Sequence, residues 1–142
     1  MSHTNGRRVV ITGYGALTDL GNTAPDTWAA MRDGRSGVRT IDLPNFDDFE
    51  GWTVRIGGQV RDWTPDFLEH REIKRVDRCT LLGMGAAEEA VRHSGLDFAA
   101  GDPTRRGVVI GSGIGGIQTI EDGVVVLHQK GPSTSRPSPC PA

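Results

Sequence analysis

Two short β-branched runs, each passing into a glycine turn and then a helical stretch, constrain this chain more than any other feature. Val9-Val10-Ile11 leads into Gly13-Tyr14-Gly15, and Val108-Val109-Ile110 leads into Gly111-Ser112-Gly113-Ile114-Gly115-Gly116. A compact apolar run with no polar alternation suits a strand covered on both faces. Each run therefore predicts a buried central strand. Strands of this kind separated by helices point to a layered α/β fold rather than a sheet built from hairpins.

Local signals fill the interval between the runs. Thr23-Ala24-Pro25-Asp26 predicts a helix start, with proline in the first turn and an acid at the positive end of the dipole, and Gly34 and Gly37 are the expected stop. Leu43-Pro44-Asn45 reads as a turn, and Thr53-Val54-Arg55-Ile56 alternates like a short exposed strand. Thr64-Pro65-Asp66 repeats the cap-and-proline pattern and predicts a short helix as far as His70. From about Lys74 to His93, apolar residues fall at helical spacing on a face rich in Gly83, Gly85, Ala86, Ala87 and Ala90. Such small side chains let another element approach, so deep packing is expected. Ser94-Gly95 ends that helix, and a last helix is expected from Ile117 to His128, with Ile120, Val124 and Leu127 on one side.

Composition bounds what the fold is for. The chain has 142 residues, enough for one modest core, and its 16 basic and 18 acidic side chains give a formal charge of -2. That balance supplies no field to gather nucleic acid or an anionic membrane, so neither partner is expected. No apolar stretch is long enough to cross a bilayer or to act as a secretory h-region. Cys79 and Cys140 form no short-spaced pair, which argues against a disulfide framework or a zinc motif and favours a reducing cytoplasm. From Gly131 onward come four of the eight prolines, three serines and no large apolar residue. Nothing in that tail offsets the entropy of ordering it, so it is expected to be disordered. The organisation read from sequence is a polar N-terminus at 1–6, one partial domain at 7–131 and the Pro/Ser-rich tail at 132–142.

Candidate chemistry is sparse. Residues 111–116 match G-x-G-x-x-G after a strand, the pattern that aims a helix N-terminus at pyrophosphate. A dinucleotide site also wants an acid ending a second strand about twenty residues on. Here that interval runs into prolines. A small nucleotide-binding module therefore stays an alternative, against a glycine turn that serves close packing. Ser112 lacks the glycine that a nucleophile elbow needs at position 110, where Ile110 stands. His3, His70, His93 and His128 fall on separate elements without metal-ligand spacing, and no metal is expected. Glu121 and Asp122 read as dipole partners in the first turn of the last helix, and Cys79 as a small core residue. The cluster Arg71-Glu72-Ile73-Lys74-Arg75-Val76-Asp77-Arg78 reads as a solvated face whose basic excess can meet an acidic partner.

Three blocks taken in order and spacing carry a resemblance. Arg7-Arg8-Val9-Val10-Ile11-Thr12-Gly13-Tyr14-Gly15 with Gly21-Asn22, then Lys74-Arg75-Val76-Asp77-Arg78, then Ile110-Gly111-Ser112-Gly113-Ile114-Gly115-Gly116 with Thr119-Ile120-Glu121, resemble the β-ketoacyl-ACP synthases. The resemblance implies the beginning of the first βαβαβαββ half of a thiolase-like fold, hence an α/β, partial thiolase-like chain with a disordered C-terminal tail. It also implies an acyltransferase of fatty-acid elongation, working with acyl carrier protein and as a homodimer. No cofactor is implied. In that family a cysteine takes the acyl group, then two histidines and backbone N–H groups stabilise the charges that develop in decarboxylative condensation.

Those catalytic groups have no counterpart at matching positions here, so the expected set of catalytic residues in this chain is empty. Cys140, between Pro139 and Pro141, does not stand in the family's nucleophile pattern, and Thr18-Asp19-Leu20 replaces a common Ser-Pro or Thr-Pro step. The chain reads as a truncated synthase, inactive alone, or as a non-catalytic partner of a full-length synthase. One position carries over: Ile114 resembles the residue that lines the acyl-chain pocket near the dimer interface, where its bulk influences chain length. Without neighbouring strands, such a chain is expected to expose apolar faces and to dissolve poorly.

Overall fold

A computed structural model describes residues 8–42, 51 and 53–132 of the chain. It divides into two compact units, Met1–Asp62 with Ala86–Gly101 and Trp63–Gly85 with Asp102–Ala142.

In the first unit, helix α1 (Ala24–Arg32) begins where its local signals place it. Thr23 is extended, its hydroxyl accepts from the Asp26 N–H at 3.2 Å, and Pro25 occupies the first turn. That cap satisfies one of the donors a helix start leaves open. The helix buries Ala30, 1% exposed, and Thr27. Thr27 Oγ1 lies 2.9 Å from Thr18 Oγ1, and the Thr18 N–H donates to the Gly21 carbonyl at 3.0 Å. The loop before α1 is thereby tied to the helix it feeds. Gly34, with φ of 69°, closes the helix, whereas Gly37 ends nothing and is instead buried beside Asp19.

Strands β1 (Val38–Thr40) and β2 (Ile56–Gly58) pair antiparallel, with Val38 opposite Gly58 and Thr40 opposite Ile56. A further bond from the Ile41 N–H to the Arg55 carbonyl, at 2.9 Å, prolongs the ladder. The strand expected over 53–56 thus joins the pairing only at its end, through the Arg55 carbonyl and Ile56. Arg61 donates to the Thr40 carbonyl and to Gln59 Oε1, and Gln59 brackets the Asp42 backbone at 2.7 and 3.1 Å.

Helix α3 (Arg78–Ser94) gives its later turns to this unit. Against them runs the backbone of Gly13 to Gly15, in a contact that small residues alone permit. A Cβ on Gly15 would fall 2.2 Å from the Ala86 carbonyl and 2.8 Å from Ala90 N. Glu89 holds this approach: its carboxylate accepts from the Ala16 N–H at 2.8 Å and from the Ala24 N–H at 2.9 and 3.1 Å. One acid therefore secures both the glycine turn and the start of α1.

In the second unit, Glu69 and Glu72 form a reciprocal capping box around α2 (His70–Ile73), with the Glu69 N–H donating to Glu72 Oε2 at 2.9 Å. The helix predicted from Thr64 to His70 is not formed. Pro65 is buried in non-helical chain, and the capping box sets the start five residues later. The Arg78 guanidinium lies 5.3 Å from the Trp63 ring centre and donates to the Trp63 carbonyl at 3.0 Å. A 3-10 turn at Pro103–Arg105 is capped by Asp102, which accepts from the Thr104 N–H at 2.9 Å. Helix α4 (Ile117–Lys130) follows the glycine turn.

Further sequence expectations need correction. Neither β-branched run forms a buried strand: Val9, Val10 and Ile11 are largely exposed, as are Val108, Val109 (99%) and Ile110. A strand has no local hydrogen bonds and exists only beside a neighbour. Among the described residues the only sheet is the β1–β2 pair, which neither run joins. Along α3 deep packing reaches only Leu81. Cys79, expected in a core, is exposed. Ile120, Val124 and Leu127 do share one side of α4, but remain about half exposed. The turn expected at Leu43-Pro44-Asn45 lies outside the described residues for Pro44 and Asn45 and for Leu43, as does the tail from 133 to 142.

Candidate functional site

The sequence singles out the glycine turn at 111–116, and the structure places it at the entry of α4 within the second unit. Gly115 takes φ of 81°, and its carbonyl accepts from the Ile117 N–H at 2.9 Å. Gly116 is the N-cap residue but offers no side-chain cap. Asp77 approaches this helix start from outside the helix.

One oxygen of the Asp77 carboxylate accepts from the Cys79 N–H at 2.8 Å, which caps α3, whose Leu81 N–H donates to the Asp77 carbonyl at 3.0 Å. The other oxygen accepts from the Thr119 hydroxyl at 2.6 Å, in the first turn of α4. A Cβ on Gly116 would fall 2.7 Å from this same oxygen. Glycine at 116 is thus what admits the carboxylate to the turn. The Thr119 hydroxyl first, and the Cys79 N–H second, hold the Asp77 carboxyl below the usual carboxylate range, because both bonds favour its charged form.

This arrangement bears on the phosphate-binding reading. A nucleotide bound at 111–116 would rest its pyrophosphate on the N-terminus of α4. There a carboxylate already stands, and no strand precedes the turn. Like charges at that distance repel, so the geometry favours the packing turn over a nucleotide site.

Ile114 sits on the outside of the turn and is 72% exposed. Gly113 and Gly115 on either side of it face open space, as does Gly111. The other sequence candidates are not brought together. His93 stacks at 4.3 Å on Tyr14 in the first unit, while His70 is in α2 and His128 in the last turn of α4. Among the described residues no group of three or more His, Cys, Asp or Glu side chains could hold a metal ion. Cys79 has the Thr80 hydroxyl 3.9 Å from its sulfur. Glu121 and Asp122 lie beyond the first turn of α4, and Asp122 accepts from Gln118 at 3.2 Å. The acid that complements the start of α4 is instead Asp77, from the charged cluster at 71–78 that reads in sequence as a solvated face. The signal lay in the residue itself: an aspartate just ahead of a long apolar-periodic run is a preferred helix cap. His3 and Cys140 lie outside the described residues.

Clefts among the described residues of the first unit include a polar one and an apolar one. The polar one is lined by Thr18, Asp19, Asn22, Arg39, Gln59 and Arg61. The apolar one runs along α1 past Tyr14, Pro25, Trp28 and Met31. Ile114 lines neither. Among the described residues no helix is long and apolar enough to cross a membrane.

Comparison with known proteins places this geometry in a family. The sequence model for the beta-ketoacyl synthase N-terminal domain matches residues 6–141. The 3-oxoacyl-[acyl-carrier-protein] synthase 2 of Synechocystis sp. is 37% identical over 138 residues, 96% of this chain and 32% of that protein. Its counterpart in Vibrio harveyi is 36% identical over 132 residues, 92% of this chain and 31% of that protein. The chain spans about a third of the length of the curated relatives it matches. Among solved structures, a chain of the AntDE:AntF complex, a type II polyketide acyl-carrier protein with its ketosynthase bound to the hexaketide, matches with a TM-score of 0.59 at 25% identity. That match covers 86% of this chain and 30% of the other. The mixed α/β, partial thiolase-like architecture implied by the resemblance agrees with this neighbour. With three sequence blocks in register, a family match over nearly its whole length and a shared fold, the chain belongs to the beta-ketoacyl synthase family, as part of its N-terminal domain.

Proposed function

We propose that this chain is the opening part of a 3-oxoacyl-ACP synthase of fatty-acid elongation, which binds the carrier and shapes the acyl pocket but does not condense by itself. The reading is carried by the family match over 6–141, set against relatives about three times as long. In the intact reaction a cysteine would hold the acyl group while histidines and backbone N–H groups stabilise the carbanion and oxyanion. Those groups belong to parts of the relatives beyond the matched third. What this chain contributes is position. Ile114, raised on the glycine turn, is assigned to the wall of the acyl pocket beside a homodimer partner, where added bulk would shorten the acyl chain accepted. The partial-domain boundary at 7–131 and a cytoplasmic location belong to the same reading.

Acyl carrier protein is the proposed macromolecular partner. Two observations support it: a matched solved structure holds an acyl-carrier protein with its ketosynthase, and Arg71, Lys74 and Arg75 stand exposed on and after α2. An acidic carrier meeting that face would gain long-range attraction that salt screens. Titration of the 142-residue chain with acyl carrier protein, followed by amide NMR, tests the reading. Perturbations centred on residues 70–75, weakened by Arg71→Glu with Lys74→Glu and by added salt, are expected. No perturbation of α2 at any carrier concentration would overturn the docking assignment.

A further inference from the structure

We infer that Asp77, acting through Thr119, is the positioning residue that fixes the Ile114-bearing turn of this chain. The inference rests on the pocket reading of Ile114 given above, and extends it to a residue outside the turn.

The turn has little to hold it in place. Gly111 and Gly113 face open space, Gly115 adopts a left-handed conformation, and Gly116 brings no capping side chain to α4. Four glycines in six residues leave the backbone with many conformations to lose. The fixed point is the carboxylate of Asp77. Its first oxygen is anchored to α3 by the Cys79 N–H, so the second stands at a defined place. The Thr119 hydroxyl reaches that oxygen at 2.6 Å, a short charge-assisted bond spanning forty-two positions of sequence. Gly116 packs so close to the same oxygen that any Cβ would collide with it. Two contacts, one polar and one steric, therefore register the turn against the start of α3. Ile114 lies two residues from Gly116, and its position follows from that registration. The negative charge also complements the N-terminal dipole of α4, which its own first turn does not do, having no acid.

Amide hydrogen exchange on the 142-residue chain tests the inference without any acyl substrate, so its outcome is independent of whether Ile114 lines a pocket. Ile117 and Ile120, whose N–H groups donate to the Gly115 and Gly116 carbonyls, report on the turn, and Leu81 reports on α3. Thr119→Val removes the hydroxyl while keeping the shape, and Asp77→Asn keeps a good cap for α3 while removing the charge. Each should speed exchange at Ile117 and Ile120 by about fivefold, the order expected for losing one partly exposed charge-assisted bond. Leu81 should be unchanged, Thr119→Ser should restore the parent rates, and the double variant should be no faster than either single one. Unchanged rates at Ile117 and Ile120 in Thr119→Val would overturn the inference. Equal acceleration at Leu81, additive effects in the double variant, or an unprotected turn in the parent chain would do so as well.

Discussion

The chain contains the same local plan twice, a β-branched run, a glycine turn and a helix, and the two copies are secured differently. In the first unit the turn at Gly13 to Gly15 is pressed against α3, and Glu89 accepts from two backbone N–H groups, those of Ala16 and Ala24. In the second, the turn at 111–116 is held by Asp77 through the Thr119 hydroxyl and its close approach to Gly116, while Gly111 and Gly113 face open space. The first turn is built into a packed contact. The second is pinned at one end and leaves Ile114 in the open. A carboxylate on backbone donors, with glycine against a backbone carbonyl, cannot yield without moving the main chain. The second arrangement suits a turn whose exposed residue is to meet a ligand or another subunit, the role proposed for Ile114.

The sharpest way to break this comparison is to add a methyl group at each turn. Gly15→Ala places a Cβ 2.2 Å from the Ala86 carbonyl, so the backbone itself must move, and a loss of about 3 kcal/mol is expected in chemical denaturation. Gly116→Ala collides only with the Asp77 side chain and leaves the main chain untouched, so about 1 kcal/mol is expected in the same experiment, with the Asp77–Thr119 bond as the part lost. Equal costs at the two glycines would show that the second turn is as tightly built as the first. Between these two falls Glu89→Ala, which strands two backbone donors and should cost about 2 kcal/mol, with Glu89→Gln closer to 1.

Acid sharpens the contrast at Asp77. Its folded carboxyl titrates below the ordinary value of 3.8, so its stabilising contribution is complete above that value and is lost as pH falls through the lower folded one. Thermal melts of parent and Asp77→Asn chains should therefore draw together as the pH is lowered below about 3.8 and stay apart at neutral pH. A gap that persists unchanged into strong acid would mean the charge plays no part. The smallest effect is expected at Ile114→Ala: with the side chain 72% exposed, stability should change by less than about 0.5 kcal/mol.

What could be read from the sequence was what local chemistry decides. Thr23, Pro25 and Asp26 specify the start of α1 within a single turn, and the apolar spacing of Ile120, Val124 and Leu127 specifies α4. Runs at Val9 and Val108 misled because a β-branched segment proposes a strand that only a neighbouring ladder can complete. Thr64-Pro65-Asp66 has the cap pattern, but the reciprocal pair Glu69 and Glu72 is stronger and moved the helix to His70. The turn at 111–116 was plain from its glycines. Its anchor was not, because Asp77 meets Thr119 across forty-two positions and no periodicity connects them.

The role proposed for this chain is the positioning part of a condensing enzyme without its catalytic groups. Incubating the purified chain with acyl-ACP and malonyl-ACP, and measuring 3-oxoacyl-ACP by mass spectrometry, tests it most directly. Product no higher than in a reaction without protein is expected. Sustained turnover above that level, abolished by a substitution within the 142 residues, would contradict it.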